Sequence, residues 1–259
     1  MTTTADSTIK TIEAEGVGPV ELTVEERGEG RPYLVLHGGA GPQSVVAFAH
    51  LLTEKGGNRV ITPTHPGFGG TTRPEALDTV AKLATLYQGL LDELELEDVT
   101  VVGNSVGGWI TAELALLGSR RISRIVLLDA VGIEVEGHSV ADVSGLSLPE
   151  IQALSFHDPA RFRVDPATVP DAQKAIMAAN AAALAVYAGS QAMADPTLLG
   201  RLSEVAVPTL VLWGESDRIV EPAYGRAYAS AIPGARFEVL PGTGHVPQME
   251  TPELVIQAM

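Results

Sequence analysis

The stretch Val99-Thr100-Val101-Val102-Gly103-Asn104-Ser105-Val106-Gly107-Gly108-Trp109-Ile110 decides the fold. Val99 to Val102 form a short β-prone run, the signature of a strand buried on both faces of a parallel sheet. Trp109 to Leu117 is almost wholly apolar, as expected of a helix lying flat on such a sheet. Between them the chain must reverse from strand to helix within a few residues, and Ser105 sits at the bend. A turn that sharp forces strained backbone angles on the serine. Gly103 and Gly107 remove the side chains that would otherwise collide there. The hydroxyl then projects from the turn, beside a helix N-terminus that offers backbone N–H groups and the positive end of a dipole. The N–H of Val106 is placed to face a developing oxyanion.

The same rhythm extends outward. Tyr33-Leu34-Val35-Leu36 ends in His37-Gly38-Gly39, and Val60-Ile61 leads to His65-Pro66-Gly67. Ile125 to Leu128 ends in Asp129, Leu210 to Trp213 in Gly214, and Phe237 to Leu240 in Pro241-Gly242. Val20 to Glu25 alternates apolar and polar, which predicts a half-buried antiparallel strand after a ragged start. Val80, Leu83, Tyr87, Leu90 and Leu94 recur at helical spacing, and the acidic run Asp92 to Asp98 reads as a solvated helix end. Strands alternating with helices predict an α/β fold with a doubly wound, mostly parallel sheet and right-handed crossovers.

The alternation lapses between Gly132 and Val205. This stretch offers a helix start at Asp158-Pro159 and an Ala-rich segment from Ala172 to Ala188, and it lacks the length for a core of its own. It is expected to be a helical insertion over one end of the sheet, a cap of residues 132–205 on a core of residues 1–131 and 206–259. Leu146, Leu148, Ile151, Leu154, Ile176, Met177, Leu184, Val186 and Met193 make the insertion apolar. Some should line its underside; most should pack it onto the sheet.

Composition narrows the partners. The 259 residues carry a formal net charge of −15 and no basic cluster, which repels phosphate backbones and anionic lipids. Nucleic acid is excluded as a partner on this ground. The chain contains no cysteine, so disulfides, thiolate catalysis and cysteine zinc sites are ruled out. The first residues, MTTTADSTIK, form no signal peptide, and no apolar run is long enough to span a membrane. A cytoplasmic enzyme acting on a small molecule is expected, as monomer or homodimer.

In open parallel sheets, ligands bind beyond the carboxyl ends of the strands. A serine there needs a base to take its proton. Of six histidines, His245 is the one in a Gly-flanked loop after the last strand run, with a helix expected from Thr251 (as N-cap) and Pro252. The base needs a carboxylate to fix its tautomer. Asp217, in the loop after Leu210 to Gly214, is the choice. Asp129 is the substitute, and Glu215 reads as structural or exposed. A second oxyanion N–H should come from His37-Gly38-Gly39-Ala40-Gly41-Pro42, with Gly39 favoured and Ala40 next. His37 and His65 read as buttresses, and Trp109 and Trp213 as core.

Ser105, Asp217 and His245 follow the chain order of the α/β-hydrolases. From about Val20 onward the sequence resembles the cap-bearing, serine-hydrolase branch of that superfamily. The resemblance implies an eight-stranded, mostly parallel sheet flanked by helices, with a helical cap inserted after the sixth strand. It implies the triad roles for Ser105, Asp217 and His245, an oxyanion hole at Gly39 and Val106, and neither metal nor organic cofactor. It also implies a longer C-terminal helix than Thr251 to Met259 allows, as though the chain were trimmed.

An esterase-like acyl transfer to water is the expected chemistry. A branch that cleaves carbon–carbon bonds in dienoates is similar, but often has Gly-Pro-Gly where this chain reads Gly41-Pro42-Gln43. It also tends to carry tryptophan where this chain has Val246. Arg161 and Arg163 could bind a substrate carboxylate, though solvent exposure is the plainer expectation for them. Cofactor-free perhydrolase chemistry and a slow-turnover receptor remain alternatives on the same residues. Dehalogenase and epoxide-hydrolase chemistry is excluded, because those relatives use an aspartate where this chain has Ser105.

Overall fold

The computed structural model describes residues 6–189 and 193–259. Residues 1–5 of the expected core, with the start of the segment read as lacking a leader, lie outside that range, as do residues 190–192 of the expected cap.

Eight strands form one sheet: β1 (Asp6–Ala14), β2 (Gly18–Arg27), β3 (Arg31–Leu36), β4 (Asn58–Pro63), β5 (Val99–Asn104), β6 (Ile122–Leu128), β7 (Thr209–Gly214) and β8 (Arg236–Leu240). They run in the order β1-β2-β4-β3-β5-β6-β7-β8. β1 and β2 are an antiparallel hairpin, β2 joins β4 antiparallel, and every later pairing is parallel. The alternation at Val20 to Glu25 therefore marks β2 correctly. β1, left within the ragged start, is a full strand whose first half is exposed, so its sequence carries little apolar signal.

The central strands are apolar without a break because both faces are covered. Leu34, Leu36, Val101, Ile125, Leu127, Val211 and Trp213 face one core. The residues between them, Val35, Val102, Val126, Leu128, Leu210 and Leu212, face the other. The first core is closed by α2 (Val80–Glu93), α3 (Val106–Leu116) and α7 (Pro222–Ala231), with Tyr87, Trp109, Tyr224 and Tyr228 buried among the strand residues. The second is closed by α1 (Gln43–Gly56) and α9 (Pro252–Ala258), which bury Val45, Phe48, Ala49, Leu52 and Val255.

A helical cap is inserted after β6, as the resemblance implies. It contains α4 (Leu148–Ser155), α5 (Asp171–Ala188) and the short α6 (Leu198–Arg201). The Ala-rich segment is α5, alanine being the best helix former. The helix expected at Asp158-Pro159 is absent. There Asp158 Oδ1 accepts from Ala160 N (3.2 Å) and its carbonyl from Arg161 N (3.2 Å), which closes a turn with nothing periodic after it. The helix begins earlier, where Ser147 and Glu150 make a reciprocal capping box and Pro149 stands in the first turn. Thr251 precedes α9 but does not cap it; its hydroxyl bonds Thr243 instead (2.8 Å). The short α8 (Pro247–Glu250) fills the space between.

Candidate active site

Ser105 has φ +56° and ψ −119°, a conformation that side-chain-bearing residues rarely adopt. Three bonds hold it there: Ser105 N donates to Leu128 O (2.9 Å), and Ser105 O accepts from Trp109 N (3.1 Å) and Val131 N (3.3 Å). Gly103 and Gly107 are required by contact. A Cβ on Gly103 would run into Gly107 O, and one on Gly107 would lie 2.6 Å from His37 O. The serine hydroxyl caps no backbone N–H of α3 and so stays uncommitted to the helix.

His245 and Asp217 meet from neighbouring loops. His245 Nδ1 lies 2.8 Å from Asp217 Oδ2, with both side chains buried. Asp217 Oδ1 accepts from Ile219 N (2.8 Å) and Val220 N (3.0 Å), which fixes the carboxylate before the histidine arrives. Glu215, the other acid of that loop, accepts from Gly242 N at the exposed rim (3.1 Å). Among the described residues the imidazole bonds Asp217 and no hydroxyl; Ser105 is joined to its loop through the preceding residue instead. Asn104 Nδ2 donates to His245 O (2.9 Å) and Leu128 O (3.2 Å), while Asn104 Oδ1 accepts from Gln248 Nε2 (3.1 Å). Bonds between a nucleophile and its base are often long in an unliganded site and tighten on substrate binding.

The loop expected to supply a second oxyanion N–H follows β3. Gly41 N closes a turn onto Gly38 O (3.0 Å), which puts Gly39 and Ala40 at its apex. A Cβ on Gly38 would lie 3.2 Å from Ser105 Cβ, so this loop passes directly beside the serine. Val106 opens α3, and its N–H is one of the four at that end without an intrahelical acceptor. Ala40 is exposed and Gly39 half-buried beneath Leu184 of the cap.

Beneath the loop, His37 and His65 pack with ring centroids 3.7 Å apart and planes tilted by 34°. His37 Nε2 accepts from His65 N (3.1 Å), His65 Nε2 bonds His37 O (2.8 Å), and His65 Nδ1 bonds the Tyr87 hydroxyl. Burial holds His37 down to about 4 and His65 well below its ordinary value, so both stay neutral near pH 7. They are buttresses, as their sequence context suggests.

The cap grips the machinery at two places. Asn180 of α5 accepts from Gly69 N (2.9 Å), and Tyr187 donates to Pro66 O (2.8 Å), both in the loop after β4. The end of α4 holds the histidine loop: His245 N donates to Ser155 O (2.7 Å). Glu250, buried, accepts from Gly244 N (2.7 Å), His157 N (3.0 Å) and Asp158 N (3.0 Å). Leu184 is thus one of the apolar cap residues turned inward, whereas Met177 and Val186 are exposed. Arg161 and Arg163 are exposed too.

Asn104, Glu250 and Gln248 escape the sequence reading. Asn104 lies inside the quoted motif, but no local pattern reveals that its amide reaches 141 positions along the chain. Asp129, Asp217 and His245 form the one group of titratable side chains spaced closely enough for a metal among the described residues. Asp129 Oδ1, both Asp217 oxygens and His245 Nδ1 are, however, taken up by one another or by backbone N–H groups.

A sequence profile described as "Alpha/beta hydrolase family" matches residues 33–258. The chain is 30% identical to 2-hydroxy-6-oxo-2,4-heptadienoate hydrolase of Pseudomonas putida, over 90% of this chain and 89% of that protein. It is 28% identical to Lipase 3 of a Moraxella species, over 85% of this chain and 73% of the lipase. Among solved structures it resembles a thermophilic esterase from Thermogutta terrifontis, with a TM-score of 0.76 and 28% identity, covering 97% of this chain and 96% of the esterase.

Proposed function

The chain belongs to the alpha/beta hydrolase family, and on that premise we propose that it is a serine hydrolase cleaving a small to medium, partly apolar ester. The observation that carries the proposal is the buried His245–Asp217 pair, tied through Asn104 to the strained turn that presents Ser105. In this reading Ser105 attacks the carbonyl while His245 takes its proton and Asp217 stabilises the imidazolium. The N–H groups of Val106 and Gly39, with Ala40 as substitute, hold the oxyanion, each worth roughly 3 kcal/mol of barrier. His245 returns the proton to the leaving alcohol, and water then releases the acyl group with His245 again as base. The cap is taken as residues 132–205, and Leu184 over Gly39 supplies the apolar wall.

Carbon–carbon bond cleavage is the second reading, favoured by the Pseudomonas putida relative. Against it stands the disposition of the cations. Arg161 and Arg163 face solvent, Arg73 is spent on Pro74 O and Leu77 O, and Arg218 on Ala153 O, which leaves these four poorly placed for a dienoate carboxylate.

The test compares p-nitrophenyl acetate and butyrate with a dienoate ring-fission product, in the wild type and in Ser105→Ala. Ester turnover that falls by roughly 10³-fold or more in the variant supports the proposal. Near wild-type turnover by Ser105→Ala refutes the nucleophile. Rapid dienoate cleavage with slow ester cleavage transfers the assignment to the second reading.

A further inference from the structure

Asp129 is the alternative to Asp217 as orienting acid, and it is Asp217 whose carboxylate bonds His245 (2.8 Å). Asp129 nevertheless stands behind it, with no exposed surface. One of its carboxyl oxygens, one of those of Asp217 and one imidazole nitrogen of His245 lie within 4.8 Å of one another. Asp129 Oδ1 accepts from Gly214 N (2.8 Å), whereas Oδ2 is buried without a hydrogen-bond partner as a carboxylate. The residue also carries a φ of +46°, uncommon for a residue with a side chain, and its N–H is anchored to Leu212 O (3.1 Å). A backbone held in that state so as to bury a half-paired carboxyl against a second one calls for a reason.

We infer that Asp129 is a positioning residue, a neutral carboxylic acid whose Oδ2 hydroxyl donates to Asp217 and so steadies the carboxylate that binds His245. The inference rests on reading Asp217 and His245 as the acid and base. Asp217 accepts from Ile219 N, Val220 N and His245, whereas Asp129 accepts from Gly214 N alone. Two adjacent buried carboxyls cannot both ionise without a large cost, so the poorly solvated one keeps its proton. Burial and the charge of Asp217 both push the proton affinity of Asp129 well above the ordinary carboxylate range. Tyr224 and Tyr228 of α7 donate to Ile133 O and Val131 O, and Glu113 of α3 pairs with Arg201.

The sign of a titration decides the matter. A neutral donor draws negative charge away from Asp217. Its loss strengthens the hold of Asp217 on the imidazolium and raises the pH at which His245 titrates. An ionised Asp129 would itself favour the imidazolium, so neutralising it would lower that pH. The experiment is an NMR titration of the His245 imidazole in the full chain, assigned with His245→Gln, for wild type, Asp129→Asn and Asp129→Leu. The amide of Asp129→Asn keeps a donor and should leave the midpoint within about 0.3 of wild type, while Asp129→Leu should raise it by about 0.5 or more. A midpoint lowered by about 1 in Asp129→Asn shows that a carboxylate was removed and overturns the inference. Equal midpoints in all three forms reduce Asp129 to packing and overturn it as well. Where Asp129→Leu does not fold, Asp129→Ala, which also lacks the donor, takes its place with the same expected rise. The titration does not depend on Ser105, so a serine that resists fluorophosphonate would count against the proposed activity and not against this pairing.

Discussion

Gly107→Ala adds one methyl group where the structure has no room for it. Gly107 lies in the first turn of α3, pressed against the end of β3. The new Cβ falls 2.6 Å from His37 O and 2.8 Å from the Leu36 carbonyl carbon, and nearer still to Leu36 O. Those distances are about 0.8 Å inside ordinary van der Waals contact, and the obstruction is backbone that cannot swing aside. The helix must therefore move away from the loop that begins at His37. That separates Val106 from Gly39, the two N–H groups proposed to hold the oxyanion. Overpacking of this kind costs about 1–3 kcal/mol, so the melting temperature should fall by roughly 2–10 °C. A misplacement approaching 1 Å at the reacting centre should cost about 10²-fold in kcat/KM. Calorimetry and p-nitrophenyl acetate kinetics measure the two effects, with Gly200→Ala as a control where no atom lies near the added Cβ and the backbone is not left-handed. A Gly107→Ala protein with wild-type kcat/KM would show that the close approach of α3 to the His37 loop does not build the site.

Asp217→Asn should lower kcat by about 10⁴-fold with the fold intact, since the amide favours the wrong imidazole tautomer; circular dichroism alongside kinetics checks both halves. Glu250→Gln removes one of two acceptor oxygens serving Gly244, His157 and Asp158. It should cost about 1.5–3 kcal/mol in urea unfolding and lower kcat more than it raises KM; an unchanged midpoint would refute the clamp. Stability should also fall in mild acid. His37 titrates near 4 when folded and near 6.5 when unfolded, so the unfolded chain binds the extra proton between those values. Stability is therefore lost as pH drops from 6.5 towards 4, by about 3 kcal/mol for His37 alone. His65 adds to the loss with the same sign. Asp129, raised, acts oppositely and loses stability as pH climbs above 3.8, but one carboxyl does not cancel two histidines. Urea unfolding at pH 7 and pH 5 should show a smaller difference for His37→Asn than for wild type; an equal difference removes His37 as the cause.

The fold was legible because its strands are covered on both faces. Continuous runs such as Leu34 to Leu36 and Leu210 to Trp213 have one reading in a parallel sheet, and the Gly-x-Ser-x-Gly bend fixes the direction of β5 into α3. β1 was obscured because an edge strand with one exposed half does not need apolar residues. The first cap helix was misplaced because Asp-Pro opens turns as readily as helices, whereas the Ser147–Glu150 box carried the real signal. Ser105, His245 and Asp217 stood out as chemical groups at strand ends. The residues that hold their loops together did not. Asn104, Gln248 and Glu250 act through bonds to distant backbone, and a sequence records the identity of such residues but not the carbonyl or N–H they will reach.

The two grips of the cap set a rule for anyone who would exchange it to alter selectivity. The stretch from Ala153 to Asp158 is sewn to the histidine loop by Ser155 O and Glu250, and it behaves as part of the catalytic frame. A graft cut at the sheet, replacing everything between β6 and β7, would remove that seam along with the lid. A graft starting beyond Asp158 leaves the seam in place and exchanges α5, the helix that roofs Gly39. Chimeras with the later cut should keep their fluorophosphonate reactivity while their acyl preference changes.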